Sequence, residues 1–104
     1  MRRASQPNAS EKEYMNKVAE LGCIACYLLS GVVGTPAAIH HVDGSRRTLG
    51  RPEPHKHVLG LCAYHHQGIG PEKDGGYVHG RLALFENEFG TQDYLVQMTK
   101  EMIE

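Results

Sequence analysis

Three cysteines and seven histidines are the residues of this 104-residue chain best suited to chemistry. The cysteines stand at 23, 26 and 62, and every histidine falls between His40 and His79. Cys23-Ile24-Ala25-Cys26 is a Cys-x-x-Cys turn, which presents two thiolates from one tight knuckle. Cys62-Ala63-Tyr64-His65 is its counterpart, because residues three apart share one face of a helical turn and reach one ion. Cys23, Cys26, Cys62 and His65 therefore make a complete tetrahedral set for a structural zinc, with 35 residues between the halves. His65 as fourth ligand also explains the odd number of thiols. The plainer alternative makes Cys23 and Cys26 small buried hydrophobes; the matching Cys-x-x-His weakens it.

The remaining histidines exceed what one zinc needs. In Ile39-His40-His41-Val42, adjacent side chains of an extended strand point to opposite faces. One histidine can bind a metal while its neighbour faces a substrate. His66 lies one residue past His65, about 100° around a helix, and looks toward a second site. His57, His55 and His79 complete the surplus. A noncatalytic zinc module that binds nucleic acid or protein needs only four ligands, so this surplus favours an enzyme over that alternative. No H-E-x-x-H pattern is present to suggest a small-substrate zinc hydrolase.

These side chains need elements to place them. Residues 1–9 have no periodicity and read as a flexible arm before a domain of residues 10–104. Ser10-Glu11-Lys12-Glu13 fits a capping box, and Tyr14, Val18 and Leu21 recur at helical spacing until Gly22, predicting a helix over 11–21. Residues 27–36 carry Gly31, Gly34 and Pro36 and read as a turn-rich insertion. Short strands are expected at 38–42 and 58–61, with a long loop from 43 to 57 between them. A short helix starts at Cys62 and stops at Gly68, and a glycine-rich loop leads to His79. Leu82, Phe85 and Phe89 then form an apolar stripe closed by Gly90, and Thr91 caps a last helix bearing Leu95, Met98 and Met102.

The bulk properties narrow the partners. The net charge is -1, so any contact with a polyanion must come from a local patch. Arg46, Arg47, Arg51 and Lys56 supply one, against Asp43 and Glu53, directly after the two-histidine strand. Such side chains neutralise phosphates and position a nucleic-acid backbone without reading its sequence. No apolar run spans a bilayer and no signal peptide is visible, so reduced thiols in a cytoplasmic setting are expected.

The order Cys-x-x-Cys, His-His, a polar residue five before Cys-x-x-His, and a following His resembles the HNH endonucleases. The segments "IHHVDGSRR", "LGLCAYHH", a later "HG" and "FENEFG" look closest to the phage recombination-enhancement, RecA-dependent nuclease (Ref) family. The resemblance implies an α+β domain: a zinc-stapled treble-clef and ββα-metal core over 23–80, with flanking helices over 81–104. It implies His41 as general base and His57 in the place of the Asn that orients it. It implies a catalytic divalent ion (Mg²⁺, Mn²⁺, Zn²⁺ or Ni²⁺) on His40, His66 and His79. The expected partner is DNA in a bacterial host cell, RecA-coated single strands included, and the expected state is a monomer.

Overall fold

The computed structural model describes residues 6–42, 54–70 and 75–104. Helix α1 spans Ala9–Leu21 and begins earlier than expected, inside the segment read as an arm. Two capping patterns overlap in the sequence, Asn8-x-x-Glu11 and Ser10-x-x-Glu13. The first one is used: Asn8 Oδ1 accepts the Glu11 N–H, and Glu11 Oε1 accepts the Asn8 N–H, both at 2.8 Å. Glu13 is left on the surface, where it pairs with Lys17 at 3.7 Å.

The segment expected to be a turn-rich insertion begins instead with helix α2, Ile24–Ser30. Cys23 caps it through its sulfur, which accepts the Cys26 N–H at 3.4 Å, and Gly31 closes it in the left-handed conformation. Strand β1 (Ala38–His41) then pairs antiparallel with β2 (Val58–Leu61), setting His40 against Leu59 and His41 against Val58. A single 3-10 turn at Pro54–Lys56 precedes β2. Helix α3 (Ala63–Gln67) follows it, so β1, β2 and α3 form a ββα unit. Helices α4 (Leu82–Phe89) and α5 (Gln92–Ile103) complete the α+β chain, with Thr91 capping α5 through the Tyr94 N–H.

All four residues of β2 are buried because the strand is covered on both faces. Leu59 and Leu61 enter the main core with Val42, Phe85, Phe89, Leu95 and Val96. Val58 turns the other way, toward Tyr14 and Val18 of α1. Gly60 lets that helix approach: a Cβ there would lie 2.4 Å from the Gly22 carbonyl oxygen. The apolar stripe expected on α4 is narrower than the sequence suggests. Phe85 and Phe89 are buried, while Leu82 stays exposed. No helix among the described residues is long and apolar enough to cross a membrane.

Candidate active site

The two Cys-x-x-(Cys/His) knuckles meet. Cys23 ends the loop after α1, Cys26 lies in the first turn of α2, and Cys62 with His65 spans the start of α3. His65 Nδ1 lies 3.5, 3.6 and 3.2 Å from the sulfurs of Cys23, Cys26 and Cys62, and Cys26 Sγ lies 3.8 Å from Cys62 Sγ. A tetrahedral zinc with bonds of about 2.3 Å to sulfur and 2.0–2.1 Å to nitrogen gives edges of roughly 3.8 Å between sulfurs and 3.5 Å between sulfur and nitrogen. The spacing fits that polyhedron, so this Cys3His cluster can hold a structural ion such as zinc. Burial pushes the thiols of Cys23 and Cys26 upward, Cys26 to about 12. A divalent cation would have to displace those protons on binding.

The second cluster is built from histidine alone. His40 comes from β1, His66 from α3, and His79 from the segment before α4, with ligand atoms within 4.8 Å of one another. Their ring centroids are separated by 4.7–5.2 Å. The long connection after α3 does not displace His79, because the chain returns to the end of that helix. Val78 N–H donates to the His65 carbonyl and His79 N–H to the His66 carbonyl, both at 2.9 Å. These bonds satisfy carbonyls that a helix end leaves without partners.

The three rings are graded in exposure: His40 is buried, His66 half-buried and His79 exposed. The cluster thus opens to solvent on one side. Burial, followed by the neighbouring His79, holds His66 below the usual histidine value. His40 is also lowered, with burial dominant over the opposing contact to Gln92. That contact, His40 Nε2 to Gln92 Oε1 at 2.8 Å, ties the β1 ligand to the first turn of α5. Sequence reasoning missed Gln92; its position directly after a helix cap was the available signal.

His41 meets a different partner from the one expected. Its Nε2 lies 2.8 Å from Nδ1 of His55, with the rings at 90° and centroids 4.9 Å apart. His57, expected to orient His41, instead contacts Asp93 Oδ1 at 3.0 Å. The 3-10 turn at Pro54–Lys56 accounts for the exchange, because it folds the chain just before β2 and brings His55 back against β1. His55 is buried. Burial, then the nearby His55, lowers the His41 pKa below the usual histidine value.

Of the basic residues singled out in the sequence, Arg46, Arg47 and Arg51 lie outside the described residues. Lys56 is described, and its ammonium stands 5.9 Å from the centroid of the Tyr14 ring. It borders a cavity of about 250 Å³ that Glu13, Lys17 and Glu104 also line.

The comparison with known families agrees with the residues that carried the resemblance. The family model described as "Recombination enhancement, RecA-dependent nuclease" matches residues 7–104. That match covers both clusters, the paired strands and the five helices of the described residues, and the chain belongs to the recombination-enhancement, RecA-dependent nuclease family.

Proposed function

We propose that this domain is a metal-dependent DNA endonuclease in which His41 is the general base and the His40, His66 and His79 cluster holds the catalytic ion. One observation carries the reading. A closed set of four ligands and an open set of three imidazoles share helix α3, and His41 adjoins the open set through β1. When bound, a divalent ion at the open set supplies charge neutralisation at the scissile phosphate and its leaving oxygen. The all-imidazole donors suit zinc, nickel and iron better than magnesium, which prefers oxygen ligands.

The residues themselves supply the proton chemistry. His41 can take a proton from water only through a ring nitrogen with a free lone pair. Its Nε2 already faces His55. In the productive tautomer His41 Nε2–H donates to His55 Nδ1, and His41 Nδ1 remains free to accept. The lowered pKa keeps the ring neutral at neutral pH, which a base requires at rest. An imidazole partner fixes this tautomer without the negative charge by which a carboxylate would raise the basicity of the ring. His57, whose Nε2 contacts Asp93 Oδ1, is assigned no part in this relay.

The substrate follows from the family and the charge pattern. DNA, including single strands covered by RecA, is the proposed partner, with Arg46, Arg47 and Arg51 meeting phosphates. Hydrolysis would leave 5′-phosphate and 3′-hydroxyl ends. A nicking assay on plasmid and single-stranded DNA, with Mg²⁺, Mn²⁺, Zn²⁺ or Ni²⁺ and with or without RecA filaments, tests this directly. Cleavage under at least one combination is expected. Binding of DNA without cleavage under any of them would leave a noncatalytic zinc module.

A further inference from the structure

Glu11 exposes none of its surface, yet it carries a carboxylate that neither cluster uses. Its two oxygens accept from two separate segments. Oε1 accepts the Asn8 N–H at 2.8 Å, and Oε2 accepts the backbone N–H of His55 at 3.1 Å. A capping box asks for only the first of these bonds and works on an exposed helix end. Burying a carboxylate is costly unless its oxygens meet donors. Here the second donor is the amide of a residue 44 positions away, whose ring touches His41. The same helix grips the same turn again where Lys56 stands over Tyr14.

We propose that Glu11 is a positioning residue for the active site: its buried carboxylate, through the His55 amide, fixes the turn at Pro54–Lys56 and with it the ring that orients His41. The inference rests on His41 being the base. Glu11 reaches no reacting atom itself. It sets the distance and angle at which His55 meets His41, and thereby the tautomer of the base.

Glu11→Gln tests this because the side chain keeps its size but retains one oxygen, which cannot accept both amides. The variant should keep its zinc and its affinity for DNA. Its cleavage rate at saturating DNA should fall by about 10²-fold, the cost of a misplaced catalytic group. The His41 ring N–H proton, to be followed by NMR in wild-type protein and variant alike, should broaden or vanish in the variant. In a His55→Ala background the same change should slow cleavage no further, since two residues acting through one contact are not additive. Independent losses that multiply would show a general effect on the fold and overturn the proposal.

Asn8→Gly provides the second arm, because it removes the Asn8 side-chain cap and leaves the Glu11–His55 bond. It should lower thermal stability without slowing cleavage; a slowing equal to that of Glu11→Gln would place the effect at the helix start and overturn the proposal. Should wild-type protein fail to cut DNA, the nuclease reading falls, and the NMR signal still decides the tie. Its loss in Glu11→Gln supports the positioning contact, and an unchanged signal removes it.

Discussion

The two clusters of potential metal ligands draw on the same helix for opposite ends. The Cys3His cluster can close a tetrahedron with four donors, two of them buried, and packs into the main core. The histidine cluster has three donors, runs from a buried ring to an exposed one, and is held by contacts from α5 and from the segment before α4. A closed set has no position left for a substrate, whereas a three-donor set leaves coordination open. Adjacent residues of α3, His65 and His66, fall in different clusters because successive positions on a helix diverge by about 100°. On the proposed reading, one short helix both staples a small fold and serves a reaction.

The largest test of that division removes a closed-set ligand. Cys62→Ser should release zinc and unfold the domain, since a small core gains much of its stability from such a site. Circular dichroism and metal analysis would record it, and an unaltered melting curve in zinc-free protein would break the comparison. His66→Ala should behave differently, keeping the fold and its zinc while losing the second ion and all cleavage. Calorimetric titration with Mn²⁺ separates the two cases; loss of the structural zinc as well would mean that the clusters are one unit.

Replacing the base should leave both ions in place. His41→Ala is expected to slow cleavage by roughly 10²–10⁴-fold with metal content and DNA affinity retained. His57→Ala, by contrast, should cost far less than His55→Ala in single-turnover rate. A reversed order would return the orienting role to the position that the resemblance assigned.

Acid should act on the open set in protein stripped of its second ion. Burial, chiefly, holds His40, His41 and His66 below their ordinary values, while unfolding returns them to about 6.5. The unfolded chain then binds more protons as pH falls. The contribution of these groups is complete above about pH 6.5 and is lost as pH drops through their lower folded values. A melting temperature falling by a few degrees between about pH 7 and pH 5.5 is expected; a flat profile would show that these rings titrate alike in both states. The smallest effect belongs to the basic residues. Changing Arg46, Arg47 and Arg51 to Ala should flatten the salt dependence of DNA binding by about 0.7–0.9 per lost phosphate contact. An identical slope would remove them from the interface.

What could be read in advance depended on whether local chemistry or distant packing decides. Cys-x-x-Cys and Cys-x-x-His carry their geometry in their spacing, and the paired strands and the capped last helix follow from short-range pattern. The choice between Asn8-x-x-Glu11 and Ser10-x-x-Glu13 does not, since only the former puts its acid against His55. Gly31, Gly34 and Pro36 suggested a turn throughout 27–36, but a thiol cap at Cys23 starts a helix before those residues can act. The partner of His41 was illegible for a similar reason. Counting back from Cys62 assumes a uniform approach to β2, and the 3-10 turn changes the count by two residues.

The return of Val78 and His79 to the carbonyls of His65 and His66 separates the length of a connection from the position of its end. Loop closure grows slowly with length, by about 0.6 kcal/mol per doubling. With α3 capped at Gly68 and the chain re-anchored at Val78, a change of length between Gly70 and Gly75 should leave His79 in its place. On the proposed reading, the protein tolerates grafting between two fixed points: that connection can be rewritten without rebuilding the three histidine donors.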